Sequence, residues 1–170
     1  MKKLILLLGL IFVIGYSFGQ KFAFVDSEYI LSKIPTYKGA QDKVNQLSKE
    51  WQKEVEAEYA EYDKLFKEYQ TEKVLLTDEM KRVREQELAN KEKAVKELQR
   101  SYFGQDGLLF KKRQELMKPI QDEVYNAIKT LAETGNYSII FDTAGGANIL
   151  YTDPKHDKSD EILEKLGYKK

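Results

Sequence analysis

The chain has 170 residues and equal numbers of basic and acidic side chains, 28 of each, so its formal net charge is zero. This balance is not that of a nucleic-acid binder, and the absence of cysteine excludes disulfides, thiol chemistry and lipid attachment through an N-terminal cysteine. One third of the residues are charged with the two signs mixed, which indicates a solvated helix surface.

Residues 1–19 have the features of an export signal. Two lysines follow Met1, residues 4–14 are apolar, and small residues at Ser17 and Gly19 predict cleavage before Gln20. The apolar run is short for a membrane span, and an uncleaved anchor is the alternative. We therefore expect an exported protein.

A short β-like segment follows the signal. Residues 22–26 predict a strand, and Ser27 is the candidate N-cap of a brief helix that stops near Pro35. Ile30 and Ile34 are expected to face a small core.

Residues 37–133 contain almost no loop-forming sequence and predict long helices. A reversal near residues 72–78, with Thr77 as the N-cap of the return helix, would make a hairpin, and one unbroken helix is the alternative. Apolar side chains of the first helix recur every three or four residues and so share one face. They are Val44, Leu47, Trp51, Val55, Tyr59, Tyr62, Phe66 and Tyr69.

The return helix contains three residues that disfavour helix. Gly104, Gly107 and Pro119 interrupt its pattern, and a bend is expected at Pro119, which lacks a backbone donor and crowds the preceding turn. Glu87 and Lys91 are spaced for an ion pair on the exposed side of this helix. Such pairs stabilise weakly, so packing against the first helix must supply most of the stability.

A second β-containing part follows the return helix. Gly135 and Asn136 predict the end of that helix. Residues 137–142 predict a buried-type strand, the glycines at 145–146 a reversal, and residues 148–151 its partner strand.

The chain closes with an amphipathic helix that Asp157 or Ser159 would cap and Gly167 would end. The two β-containing parts, residues 20–36 and 134–170, are small for an independently stable unit. We therefore expect the chain to oligomerise.

The sequence offers no catalytic constellation. His156 is the only histidine and lies in a polar loop without a second ligand at metal-site spacing. The pair Gly145-Gly146 lacks the further glycines or the lysine of phosphate-binding loops. We expect no enzyme activity, no metal and no cofactor.

Two charged groups have an ordinary and a functional interpretation. Glu54, Glu56, Glu58 and Glu61 form an acidic cluster, which is either a solvated helix face or a site for cations. The basic run Lys111-Lys112-Arg113 is either a solvated face or a contact for lipid phosphates at a membrane surface.

Aromatic side chains on the two long helices outnumber what one narrow helix–helix seam can hold. Tyr62, Phe66 and Tyr102 suit either the seam or the surface, whereas Tyr69, Phe103 and Phe110 are expected to be exposed. Partly exposed aromatic side chains can grip unfolded apolar chains without demanding a sequence. The candidate client-binding set is Tyr59, Tyr62, Phe66, Tyr69, Tyr102, Phe103 and Phe110.

Four segments in this order resemble the Skp/OmpH family of periplasmic chaperones. After the signal come Phe-Ala-Phe-Val-Asp at residues 22–26 and Ile-Pro-Thr-Tyr-Lys-Gly-Ala-Gln at 34–41. After the charged hairpin come Lys-Pro-Ile-Gln-Asp-Glu-Val-Tyr-Asn-Ala-Ile at 118–128 and Gly-Asn-Tyr-Ser-Ile-Ile-Phe-Asp at 135–142. The resemblance covers the whole mature chain.

The resemblance implies an α+β fold in which a long antiparallel helical hairpin, residues 37–133, is inserted between strands of a small β head that trimerises. Three hairpins of the homotrimer would enclose unfolded outer-membrane proteins in the periplasm and delay their aggregation without ATP. The implied trimer body contains Phe22, Phe24, Val25, Ile139, Ile140, Phe141, Ile149 and Leu150.

The near-neutral charge departs from the family. Well-known members are strongly basic, and their arms are thought to attract acidic clients and lipopolysaccharide. No lipopolysaccharide-binding residue is carried over, because the register of the arms is not aligned with that of the family. The alternative function is a trimeric coiled-coil spacer or tether of the cell envelope.

Overall fold

A computed structural model of the chain describes residues 20–146 and 149–168, and the predicted export signal lies outside the described residues. The elements in chain order are β1 (Phe22–Val25), α1 (Ser27–Ser32), α2 (Pro35–Glu72), α3 (Asp78–Phe103), α4 (Leu108–Gly135), β2 (Ile139–Asp142), a 3₁₀ turn (Pro154–His156) and α5 (Ser159–Lys165). The prediction of long helices with a small sheet is confirmed. The chain forms two compact units: the hairpin unit, Ile34–Glu123, and the sheet unit, which contains the described residues before and after it.

The hairpin unit begins with α2, a helix of 38 residues. It starts at Pro35 rather than at the predicted Tyr37, because proline has the helical φ angle and lacks only an N–H that the first turn leaves unbonded. Its C-terminal end is Glu72, and α3 begins at Asp78. The predicted cap is confirmed, because the Thr77 hydroxyl accepts a hydrogen bond of 3.3 Å from the Met80 N–H.

The return path of the hairpin is divided in two. α3 ends at Phe103 and α4 begins at Leu108. A Cβ atom at Gly107 would lie 2.7 Å from the Tyr102 carbonyl oxygen, and one at Gly104 would lie closer still to the carbonyl oxygen of Arg100. Only glycine fits these positions, so the break is built by close backbone contact. The helix is not interrupted at Pro119 as expected, because α4 continues through that residue, and the bend there stays a prediction.

The sheet of the sheet unit has two parallel strands. Phe22 of β1 pairs with Ile139 of β2, and the register continues to Val25 and Asp142. Directly paired residues of parallel strands lie on the same face of the sheet. One face therefore carries Ala23 and Val25, which are buried, and contributes to the core of the unit with Ile30, Ile162 and Leu163.

The predicted hairpin between β2 and residues 148–151 is wrong where the structure describes it. Residues 149–151 form no strand, and Asn148 lies outside the described residues. The Thr143 N–H and hydroxyl both donate to the Val25 carbonyl oxygen, at 2.8 and 3.1 Å, so the chain leaves β2 bound to the end of β1. Gly146 still turns the chain with a φ of 71°.

Two of the predicted caps lie one residue away from their predicted positions. Asp26, not Ser27, caps α1, because its carboxylate accepts from the Tyr29 N–H at 2.8 Å. Lys158 occupies the N-cap position of α5, while the Asp157 carboxylate accepts from the N–H and hydroxyl of Ser159. Ser27 instead ties α1 to the end of β2, because its N–H and hydroxyl donate to the Asp142 carboxylate.

The predicted ends of α4 and α5 are confirmed. Asn136 has a left-handed φ of 53°, and the Tyr137 N–H then donates to the Ala132 carbonyl oxygen at 2.9 Å. Gly167 ends α5 in the same way with a φ of 83°. Over the described parts of the chain, none of the helices has the length and apolar character to cross a membrane.

Candidate functional site

The seam between α2 and α3 buries few side chains. Val55 and Tyr69 of α2 are buried along it, and Val95 is the buried residue of α3; Val44 of α2 is also buried, beyond the point where α3 ends. Polar and ionic contacts along the seam, described below, also join the two helices. Because the seam is narrow, most aromatic side chains on the hairpin stay partly in contact with water.

Trp51 and Tyr102 form a ring contact across the hairpin. Their ring centroids are 4.9 Å apart and the rings are almost parallel, at 5°. The Tyr102 hydroxyl donates a 2.6 Å hydrogen bond to Glu54, which raises the pKa of Tyr102. Tyr102 is half-buried, and both its ring and its hydroxyl contact residues of α2. It is therefore a residue of the seam between the two helices.

The prediction that Tyr69 is exposed is wrong. Only 5% of the surface of this residue is accessible to solvent. Its hydroxyl donates to the carboxylate of Glu85, which raises the pKa of Tyr69 to about 12. Near the turn the two helices are close enough for a tyrosine of one to reach a carboxylate of the other, so Tyr69 presents no free surface.

Three of the predicted aromatic residues are exposed. Phe66, Phe103 and Phe110 have accessible fractions of 42%, 38% and 45%. Tyr62 is half-buried, and its ring stacks on Phe66 with 6.1 Å between centroids. Tyr59 is also half-buried and lies 3.4 Å from Gln99 through its hydroxyl. The seven predicted residues are thus distributed along the hairpin rather than gathered in one cluster.

An aliphatic surface at the turn of the hairpin was not predicted from the sequence. We name Val74, Leu75, Met80 and Val83 the tip set. Val74 and Leu75 are 85% and 84% exposed, and the other two are about half exposed. The available signal was the run Val74-Leu75-Leu76 in a stretch that had to be a turn, because apolar residues in a turn have no core to enter.

Lys91 joins the two helices through ionic contacts. Its ammonium group lies 2.7 Å from Glu58 and also contacts Glu61. The hydrogen bond from Lys91 is the largest cause of a lowered pKa at Glu61, and the bond to Glu58 is the largest cause of a raised pKa at Lys91. The predicted pair of Glu87 with Lys91 is wrong: Glu87 instead binds Arg84, at 2.9 Å.

The acidic cluster and the basic run predicted from the sequence make different contacts. Within the acidic cluster, Glu54 accepts from Tyr102 and Glu58 and Glu61 bind Lys91, so the cluster is not simply a solvated face. Lys112 of the basic run binds Glu115 at 2.7 Å. In the described residues, no group of histidine, aspartate and glutamate side chains could hold a metal ion.

The sheet unit presents a second apolar surface, on the face of the sheet opposite Ala23 and Val25. We name it the open face, and it consists of Phe22, Phe24, Ile139 and Phe141. Phe22, Ile139 and Phe141 are 44%, 50% and 41% exposed, and the rings of Phe24 and Phe141 stack 5.6 Å apart. A contiguous group of exposed apolar side chains usually marks a surface that binds another protein.

The other residues predicted for the trimer body differ in their exposure. Val25 is buried on the opposite face and is used within the unit itself, while Ile140 and Ile149 are half-buried. Leu150 is fully exposed. His156, the only histidine, lies against Phe22 with 5.1 Å between ring centroids, at the border of the open face.

Comparison with known proteins settles the family. The profile of the OmpH family, described as "Outer membrane protein (OmpH-like)", matches residues 21–166, which is most of the chain. The chain belongs to the OmpH-like family. The resemblance read from the sequence is thereby confirmed.

A solved structure agrees with this OmpH-like fold. The chain is similar to the crystal structure of an OmpH-like protein from Caulobacter crescentus CB15, described as a candidate outer membrane chaperone, with a TM-score of 0.66 and 13% sequence identity. The similarity covers 87% of this chain and 84% of the other. Among proteins with curated functions, no relative matches the sequence.

Proposed function

We propose that this OmpH-like protein is an ATP-independent holdase of the periplasm, which binds unfolded outer-membrane proteins and prevents their aggregation. The observation that carries the proposal is the number of large apolar side chains that the hairpin unit leaves in water. Phe66, Phe103, Phe110 and the tip set are exposed along the helices and the turn of this unit, whose charged residues otherwise keep it soluble.

The distribution of these side chains suits an unfolded polypeptide better than a small ligand. A small molecule is bound in a concave pocket that covers most of its surface. Here the apolar groups lie apart along helices of 38 and 26 residues, so each can hold a different part of one long chain. Many weak contacts of this kind give tight overall binding without a sequence requirement.

The open face supports the second part of the proposal, a homotrimer. A two-stranded sheet is rarely stable when one apolar face meets water. Burying Phe22, Ile139 and Phe141 against other copies would remove that exposure. We therefore propose that the open face and Leu150 form the trimer body, without Val25.

Contact with lipopolysaccharide or a membrane surface receives less support. Lys112 of the basic run is paired with Glu115, and the chain as a whole has no net charge. Apolar contact, rather than charge attraction, is therefore the basis of the proposed client binding.

The decisive experiment replaces exposed aromatic residues of the hairpin. In the triple variant Phe66→Ser, Phe103→Ser and Phe110→Ser, we expect weaker suppression of light scattering when a urea-denatured outer-membrane β-barrel protein is diluted into buffer. The matched control is Tyr125→Ser, which removes an aromatic residue of 65% exposure outside the hairpin unit.

Two further measurements make the result unambiguous. Mass in solution and helical circular dichroism should be the same in the triple variant, the control and the parent protein. A triple variant that holds its client as well as the parent does would refute the binding role of these side chains. A parent protein that binds no unfolded chain would favour the spacer or tether instead.

A further inference from the structure

The tip set contains a sulfur atom that is open to solvent. The chain has three methionines, of which Met1 belongs to the predicted export signal. Met117, on α4, is 9% exposed, whereas Met80, on the first turn of α3, is 51% exposed. Oxidation of a thioether to a sulfoxide requires access of the oxidant to the sulfur, so Met80 is the more reactive of these two residues.

Met80 also occupies a defined position at the start of its helix. Thr77 is the N-cap of α3, and Met80 is the third helical residue after it. In the capping box motif the N-cap is serine or threonine, and this third residue is glutamate or glutamine. The N-cap hydroxyl accepts from the N–H of the third residue, whose side chain accepts from the N–H of the N-cap. This chain departs from the motif only at the last residue of Thr77-Asp78-Glu79-Met80.

One of the two hydrogen bonds of this capping box is present. The Thr77 hydroxyl accepts from the Met80 N–H at 3.3 Å. Within residues 20–146 and 149–168, the Thr77 N–H donates to no protein acceptor. A thioether sulfur is only a weak acceptor, so methionine cannot replace glutamate or glutamine in this role. Helical side chains lean toward the N-terminus of their helix, which is the direction of Thr77 from Met80.

Oxidation of Met80 would supply the second acceptor. The oxygen of methionine sulfoxide is bonded to the atom at the δ position, where glutamine and glutamate also carry their oxygens. The sulfoxide oxygen could therefore accept from the Thr77 N–H in the geometry of a capping box. The same oxygen makes the side chain polar, so the tip set would lose one of its apolar members.

We propose that Met80 is a site of reversible oxidation, at which the sulfoxide oxygen completes the capping box of α3 and makes the tip set more polar. The oxidant is a peroxide. The sulfur gives an electron pair to one peroxide oxygen, the O–O bond breaks, and hydrogen peroxide leaves as water. The consequence for clients rests on the proposed function: oxidation weakens holding, because the tip set belongs to the surface that binds unfolded chains.

The first experiment follows each methionine by peptide mapping after graded treatment of the full chain with hydrogen peroxide. The fraction of Met80 that has gained one oxygen atom should rise well before that of Met117. Methionine sulfoxide reductases for both sulfoxide epimers should remove this oxygen again. Equal rates of oxidation at the two residues, or a sulfoxide that the reductases leave in place, overturn the proposal.

The second experiment measures the cap. Met80→Gln places an amide oxygen at the position of the sulfoxide oxygen, and Met80→Leu is the matched variant without an acceptor. Exchange of the Thr77 amide, followed by NMR, should be about fivefold slower in the oxidised protein and in Met80→Gln than in the reduced protein and in Met80→Leu. A polar side chain that stays in solvent would not protect this amide. Equal exchange in all four preparations contradicts the capping box.

The third experiment compares client holding before and after peroxide treatment in each protein separately. The parent should lose part of its suppression of light scattering and regain it with the reductases, whereas Met80→Leu should show no change on treatment. A loss of the same size in Met80→Leu, or no loss in the parent, shows that Met80 does not control holding. A reduced parent that holds no client refutes the holdase alone, because the mapping and the Thr77 exchange need no client.

Discussion

The hydroxyl of Tyr69 on α2 donates a hydrogen bond to the carboxylate of Glu85 on α3, close to the turn of the hairpin. This hydrogen bond is the largest cause of the raised pKa of Tyr69, which is about 12, because ionisation of the phenol would remove the proton that it donates. This contact fixes the register of the two helices where few apolar residues are buried.

Spectrophotometric titration should detect this tyrosine. With the phenolate band followed from pH 8 to 13, Tyr69→Phe should lose amplitude in the late part of the curve, near pH 12, and keep the part near pH 10. Tyr125→Phe, which changes a tyrosine of 65% exposure, is the control. A loss near pH 10 in the Tyr69→Phe variant would show that the hydrogen bond does not persist in solution.

The ionic contacts of Lys91 predict that the hairpin weakens in acid. A carboxyl group whose pKa is lower in the folded state stabilises the fold above its unfolded pKa, and this stability is lost as the pH falls through the folded value. The pKa of Glu61 is lowered from its ordinary value of 4.5, with the Lys91 hydrogen bond as the largest cause. The contribution is therefore complete at neutral pH and declines below about pH 4.5.

The measurement compares Lys91→Met with the parent protein. The melting temperature of the parent should exceed that of the variant at pH 7, and the difference should shrink as the pH approaches 3. Salt should shrink it too, because these charges are partly solvated. A difference that stays constant between pH 7 and pH 3 would mean that the ionic contacts contribute nothing and that only packing was changed.

The break in the return path predicts opposite effects for two glycines. Gly107→Ala places a methyl group 2.7 Å from the Tyr102 carbonyl oxygen, and overpacking of this kind costs about 2 kcal/mol of unfolding free energy. Gly39→Ala, in the exposed part of α2, meets nothing within 4 Å and should stabilise the protein by about 0.5–1 kcal/mol. Urea unfolding followed by circular dichroism measures both. Equal effects would show that the break adjusts freely to a side chain.

Because the seam buries few apolar residues, the stability of the hairpin should depend strongly on each of them. Val95 is 1% exposed, and Val95→Ala removes two carbon atoms and leaves a cavity, at a cost of about 2 kcal/mol. Val83→Ala makes the same change on the same helix at 48% exposure and should stay within about 0.5 kcal/mol of the parent. If the two variants unfold at the same urea concentration, Val95 is not part of a packed seam.

Local features of the fold could be predicted from the sequence, because their causes lie within a few residues. Thr77 caps α3, Asn136 ends α4 and Gly167 ends α5, each through contacts with near neighbours in the chain. The stripe on α2 likewise depends only on helical spacing.

Contacts between distant parts of the chain were not predictable in this way. The partner of β2 is β1, more than a hundred residues earlier, and no local pattern distinguishes it from the nearer residues 148–151. The partners of Lys91 and the burial of Tyr69 depend on the register of α2 against α3, which the sequence alone leaves open. Among the candidate binding residues, the exposure of Phe103 and Phe110 was predicted from the sequence, but the burial of Tyr69 was not.

The stack of Trp51 on Tyr102 gives the protein a built-in optical reporter. Trp51 is the only tryptophan, and its partner lies two residues before Gly104, where the return path changes from one helix to the next. The fluorescence of this single indole should therefore report the distance between α2 and α3 at this point of the hairpin. Experiments that test the proposed client binding can follow this emission in the unlabelled protein, with no dye attached to the exposed apolar surfaces.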